Sequence, residues 1–116
     1  MQYILMAYVN EAGWPKMTPA EQQQGMAAYM AYGEALAKAG VVKGSNRLQP
    51  SSAATTVRVE NGKSQVLDGP YADSKEQLGG YFIIDVPDLD AAISWAARCP
   101  ASSHGTVEVR PIWDMR

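Results

Sequence analysis

Asp68-Gly-Pro-Tyr-Ala-Asp-Ser-Lys-Glu-Gln-Leu-Gly-Gly80, followed at once by Tyr81-Phe-Ile-Ile-Asp-Val86, decides how the chain is read. The first part reads as a long polar loop, with three of the ten glycines and no β-branched residue. The second part, taken from Gly80 to Val86, reads as a strand. Side chains alternate between the two faces of a strand, so a continuous apolar run means that both faces are covered. Long loops between such strands are often functional. Any chemistry is therefore expected in or beside residues 68–80.

Working outward, Gln2–Val9 is a second continuous apolar run and a second strand. Upstream of the loop, Thr55–Glu60 and Ser64–Leu67 are short β segments. Asn61-Gly62 joins them as a hairpin turn, because both residues tolerate positive φ. Val41–Leu48 reads as a strand bent at Gly44. Asn10–Met17, with Gly13 and Pro15, reads as a loop, and residues 50–54 as a turn. A helix is predicted over 19–39: Thr18 caps it, Pro19 suits its first position, Glu21 closes a capping box, and Gly40 stops it. Met26, Tyr29, Met30, Gly33, Leu36 and Ala37 form its expected buried stripe. Asp88 caps a second helix with Leu89, Ala92, Ile93 and Ala96 buried, ending at Cys99-Pro100. Residues 101–105 read as a flexible connection to a last strand, Thr106–Trp113.

The order is β-α-β-(hairpin)-β-α-β, an α+β, ferredoxin-like pattern with an inserted β-hairpin. Residues 2–9 and 80–86 are its central strands. Helices cover only one face of such a sheet. A second copy of the chain is the economical cover for the other, so a homodimer with its sheets packed face to face is expected.

At 116 residues the chain is expected to be a single domain, residues 1–116. With 47% hydrophobic and 19% charged residues it reads as globular rather than disordered. A net charge of -2 with no basic run leaves no electrostatic footprint for nucleic acid. One Cys and one His exclude an internal disulfide and a typical zinc site. The apolar N-terminal run lacks a positive flank and is too short to span a bilayer, so a cytoplasmic location and no membrane partner are expected. Phosphate-cradling glycine loops and a nucleophile elbow are both missing, and no cofactor is called for.

Asp68 is the first candidate for chemistry. Placed at a strand end before Gly69-Pro70, its carboxylate can act as a general base at a pocket rim, or it can bond the amides of its own turn. His104, the one histidine, has the ordinary pKa for proton transfer near neutrality and pairs with Asp68 if its loop folds over that turn. Otherwise it is an exposed loop residue. Lys75 and Glu76, beside Asp73, can bind an anionic substrate or form weak surface pairs. Glu108 and Arg110 share one face of the last strand, where they reach a ligand, a neighbouring strand or a partner. Arg47 and Arg58 are further cations of unknown register. Tyr8 and Tyr71 are aromatic candidates for contacting a small-molecule ligand. Tyr3, Tyr8, Tyr81, Trp14, Trp95 and Trp113 supply aromatic surface, most of it expected in the core and some lining a pocket against the partner, with Met6, Met17, Met26 and Met30 as gap-fillers.

The residues from Asp68 to Tyr81 also resemble the signature of the YCII-related proteins, in the branch named for its DGPF motif, with Tyr71 in place of Phe. The likeness continues through Asp85-Val-Pro-Asp-Leu-Asp90, Trp95-Ala-Ala-Arg-Cys-Pro100 and Val107-Glu-Val-Arg-Pro111. The resemblance implies a dimeric α+β barrel. It also implies a His-Asp pair as the site of those relatives that are enzymes. Their histidine belongs near the first helix, where this chain has none. Members of the branch are often encoded near extracytoplasmic-function sigma factors. Two functions follow as expectations. One is a cofactor-free enzyme using Asp68, helped by His104 or Tyr8, for proton abstraction, elimination or isomerisation. The other is a non-catalytic module that binds a small ligand or engages a regulatory partner such as a sigma factor.

Overall fold

The computed structural model describes residues 1–115. The chain runs β1 (Gln2–Val9), a 3-10 helix (Glu11–Lys16), α1 (Pro19–Lys38), β2 (Val42–Arg47), a 3-10 turn (Ser51–Ala53), β3 (Thr55–Glu60), β4 (Lys63–Asp68), β5 (Gln77–Asp85), α2 (Leu89–Arg98), a 3-10 helix (Pro100–Ser103) and β6 (Thr106–Pro111). Four strands form an antiparallel sheet in the order β2-β5-β1-β6. The two continuous apolar runs are thus its central strands, as their patterning requires. This is the α+β, ferredoxin-like fold, with β3 and β4 as a separate two-stranded sheet.

Local chemistry sets the element boundaries. Thr18 Oγ1 accepts from the Glu21 amide at 3.1 Å, and the Glu21 carboxylate accepts from the Thr18 amide at 2.9 Å. This reciprocal box starts α1. Asp88 Oδ1 accepts from the Ala91 amide at 2.9 Å and starts α2. Asn61 and Gly62 take φ of 51° and 75°, the positive values that their hairpin turn needs.

Both helices lie on one face of the sheet. Tyr32 and Leu36 of α1, and Ala92 and Ala96 of α2, pack on Tyr3, Leu5 and Ala7 of β1 and Ile84 of β5. The Tyr32 hydroxyl donates to the Trp95 carbonyl at 2.7 Å, and its ring meets Phe82 edge-on at 5.1 Å. The opposite face, bearing Ile4, Met6 and Tyr8 of β1 with Tyr81 and Ile83 of β5, is only partly buried.

The structure corrects several expectations. In α1 the buried stripe is Tyr29, Tyr32 and Leu36, whereas Met26 and Met30 are 52% and 66% exposed and Ala37 is exposed too. Rotating the stripe by about 100° per residue brings Tyr32 rather than Met30 over the sheet. In α2, Ala92 and Ala96 are buried while Leu89 and Ile93 are half-exposed, because the helix sits close on its small residues. Residues 101–105 are not a flexible connection: Ala101 is fully buried in a 3-10 turn. The last strand stops at Pro111, which has no amide to donate, and Trp113 is exposed rather than in the core. β5 begins at Gln77, so the polar loop is shorter than the motif that contains it.

Candidate functional site

Strand register places a set of polar groups along the open sheet face. Met6 pairs with Glu108, Tyr8 with Thr106 and Ile4 with Arg110, so all six share one face. Val107 and Val109, on the alternate positions, pack towards the helices. Thr106 Oγ1 donates to Glu76 Oε1 at 2.9 Å, which draws the motif loop onto this face beside Tyr8. Arg110 Nη2 lies 2.6 Å from Glu108 Oε2. That oxygen is buried without a well-directed hydrogen bond, so the contact is an ion pair along one strand rather than between strands. Across the sheet, Asn46 Nδ2 donates to the Tyr81 hydroxyl at 2.8 Å. The result is an apolar floor of Ile4, Met6 and Ile83 with carboxylate, guanidinium and phenol groups at its margins.

The motif loop is held by residues that the sequence did not single out. The Glu11 carboxylate accepts from the amide and hydroxyl of Ser51 at 2.7 and 2.6 Å. The Glu11 amide donates to Gln77 Oε1 at 3.0 Å, and Gln77 Nε2 donates to the Ser74 carbonyl at 2.6 Å. Ser74 Oγ in turn donates to the Glu76 carbonyl at 2.5 Å. Three connections, after β1, before β3 and before β5, are thereby tied at one end of the sheet. Gln77 lies within the motif, which was the available signal. Glu11 carried none, because its partner is forty residues away.

Asp68 ends β4 opposite Thr55 and is exposed. Its turn is held without it: the Gly69 amide donates to the Ala54 carbonyl, and Thr56 Oγ1 to the Gly69 carbonyl, each at 2.7 Å. Among the described residues, the Asp68 carboxylate has no hydrogen bond or ion pair. His104 is also exposed, with Nδ1 3.3 Å from Ser103 Oγ, and no contact joins it to Asp68. Tyr71 is 80% exposed, and Asp73 and Lys75 are exposed. Of the residues named from sequence, then, Tyr8, Glu76 and Arg110 share the open face, with Glu76 beside the Tyr8–Thr106 pair and Arg110 four strand positions along it. Asp68, His104, Tyr71 and Lys75 do not join them within one protomer. Arg47 stacks on Trp14 at 5.4 Å on the helix side, and Arg58 approaches Glu60 at 3.9 Å on the exposed hairpin.

Two grooves lie on the helix side. One, of about 530 Å³, runs between α1 and the Arg98–Ser103 segment past Cys99, whose thiol burial pushes up from its ordinary pKa. The other, of about 390 Å³, is lined by Ile93, Ala96, Val107 and Val109. Both are wide open, and Thr106, in the second, is their only contact with the polar set described above. Among the described residues, no group of three His, Cys, Asp or Glu side chains is arranged to hold a metal ion. Among the described residues, no helix is long and apolar enough to cross a membrane.

An antiparallel ferredoxin-like sheet, one face under two helices and the other carrying the end of a long polar motif, defines the class. The chain belongs to the family of the YCII-related domain, whose model matches residues 1–116. It is 34% identical over 114 residues to an uncharacterized protein of Rhizobium meliloti (strain 1021), covering 97% of this chain and 92% of that one. Its fold is similar to that of the 5-chloro-2-hydroxyhydroquinone dehydrochlorinase of Burkholderia phenoliruptrix AC1100, solved in complex with 2,5-dihydroxybenzoquinone. That similarity has a TM-score of 0.55 at 15% identity, over 98% of this chain and 94% of the other.

Proposed function

We propose that the chain is a homodimeric enzyme carrying out acid–base chemistry on a small cyclic or anionic molecule, in a cleft that two copies form over their open sheet faces. The observation that carries this reading is the composition of that face. Ile4, Met6 and Ile83 offer a flat apolar floor. Tyr8, Glu76 and Arg110 stand around it, one phenol, one carboxylate and one cation. A few polar groups converging on an apolar surface is the usual make-up of a small-molecule site. In this reading Arg110 and Tyr8 orient an oxygen-bearing ring, and Tyr71 and Lys75 contribute from the motif loop. Asp68 is the base, and His104, two residues before Thr106, carries the proton onward. Proton abstraction followed by elimination or isomerisation needs no cofactor. The fold neighbour, a dehydrochlorinase by its title, supports elimination chemistry on this scaffold as an analogy only.

A second reading is a non-catalytic ligand-binding module, and one observation favours it: Asp68 is exposed and, among the described residues, has no titratable partner. Turnover separates the two. Hydroxylated and halogenated phenols and quinones would be screened by thermal shift, and the binders then assayed for conversion. The enzyme reading expects Arg110→Ala to weaken binding and Asp68→Asn to lower kcat by about 10²–10⁴ with binding retained. Binding without conversion, unchanged in Asp68→Asn, supports the module and sinks the enzyme.

A further inference from the structure

The hairpin of β3 and β4 has one apolar and one polar face. Cross-strand partners point to the same side. Val57, Val66 and Val59 therefore share a face with Thr55, Ser64 and, at the hairpin's base, Asp68, while Thr56, Arg58, Glu60, Lys63 and Gln65 occupy the other with a single apolar residue, Leu67. The three valines are 61–64% exposed. The two strands pack on each other rather than on the body. An antiparallel pair with this alternation calls for a layer on its apolar side, and two strands alone are marginal in water. The Cα radius of gyration, 16.2 Å, exceeds the roughly 13–14 Å of a packed chain of this length, so the hairpin stands off as an arm.

Resting on the reading of the open face as a cleft between two copies, we infer that each copy's arm closes over the open face of the other and carries Asp68 into that copy's cleft. The occupant of the arm's apolar face is a second copy because the chain itself holds the matching surface. Its arm carries uncovered valines and its open sheet face a partly covered floor of Ile4, Met6 and Ile83, and the two are not joined within one molecule. A two-fold axis brings each against the other twice. Area points the same way. Four strands of about six residues give a footprint of roughly 400 Å², from spacings of about 4.8 and 3.3 Å. That is about half of the 800 Å² or so per partner that stable dimers bury. The arm's own two strands add roughly 200 Å² by the same spacings, and side-chain relief adds to both. The inference also explains why the motif's first carboxylate is solvated in the protomer: its neighbours in the site belong to the other chain. Each cleft is incomplete without the second copy.

Sedimentation and cross-linking test this together. Wild type is expected to be dimeric at micromolar concentration. Val57→Asp with Val66→Asp should weaken the dimer about a hundredfold or more, with far-ultraviolet dichroism unchanged, because the arm contributes nothing to the core. In a Cys99→Ser background, chains carrying Asp68→Cys mixed with chains carrying Met6→Cys should be joined as unlike pairs by a short bismaleimide. If Ile83→Asp dissociates the dimer while the arm variant stays dimeric, or no unlike pairs form, the arm inference is overturned and the open-face dimer stands. A wild-type monomer removes both.

Discussion

At Gly105, the residue scale shows how tightly the site's floor is built. A Cβ there would overlap the Tyr8 carbonyl oxygen, with the Ala101 carbonyl oxygen only 3.2 Å away. Both obstacles are backbone, so neither can rotate aside. Gly105→Ala is therefore expected to destabilise the fold by roughly 1–3 kcal/mol, lowering Tm by about 5–10 °C. A calorimetric scan with an unchanged Tm would show that β6 can shift away from β1, against the reading of Tyr8 as firmly placed. The buried phenols give a second expectation. Burial first, and Cys99 next, push Tyr29 up to about 12, with Arg47 opposing. Tyr32 is raised for the same two reasons, against Arg98. A raised folded-state value means that both forms stay neutral together below the unfolded tyrosine value near 10, where the stabilisation is complete. It is lost as pH rises from about 10 through about 12. Unfolding midpoints should fall across that window, and tyrosinate absorbance should show late-ionising groups in the native protein. If every tyrosine ionises in one step near pH 10 while the fold persists, the packing of Tyr29 and Tyr32 is wrong.

At the scale of elements, the Gln77 and Glu11 contacts make the motif loop part of the body rather than a free lid. Gln77→Ala removes the Oε1 acceptor of the Glu11 amide and the donor to Ser74 together. The expected outcome is a global loss of about 1–2 kcal/mol, and faster amide exchange confined to residues 69–76 and 10–13. Exchange that stays unchanged there would remove Gln77 as the tie. The same elements show what the sequence could carry. Strand identity was legible because Tyr3–Val9 and Tyr81–Ile84 are apolar without a break, and helix starts because Thr18, Glu21 and Asp88 act within four residues of themselves. The buried side of α1 was not. Its apolar residues run nearly around the helix, and only the sheet's position selects Tyr32 over Met30. For the site, Tyr8, Glu76 and Arg110 could each be named as polar groups near conspicuous motifs. That they share one face depends on the β1–β6 register, which pairs residues about a hundred apart and leaves no local mark. Asp68 and His104 were named as a pair from motif and chemistry, yet the protomer keeps them exposed and apart.

At the scale of the whole molecule, the question is where an 18 Å slab, one sheet and one helix layer thick, finds the rest of its core. The buried set is small for the chain: its largest fully buried side chains are Tyr3, Leu5, Leu36, Ile84 and Cys99. Meanwhile Val57, Val59, Val66 and Leu67 are uncovered, and Ile4, Met6 and Ile83 only partly covered. With two copies covering this surface as proposed, part of the stability comes from association, and association makes stability depend on concentration. A folded dimer that unfolds to two separate chains gains about 1.4 kcal/mol per mole of dimer for each tenfold rise in protein concentration, by mass action. Spread over the unfolding entropy of two chains this size, that amounts to a rise in Tm of roughly 2–3 °C per decade. Scans at 1, 10 and 100 µM should therefore move upward in even steps. The Val57→Asp and Val66→Asp chain should melt below wild type at each of these concentrations, because its dimer is weaker. A wild-type Tm independent of concentration over this range would mean that the slab is stable alone, and that its open face is left to ligand rather than to a second copy.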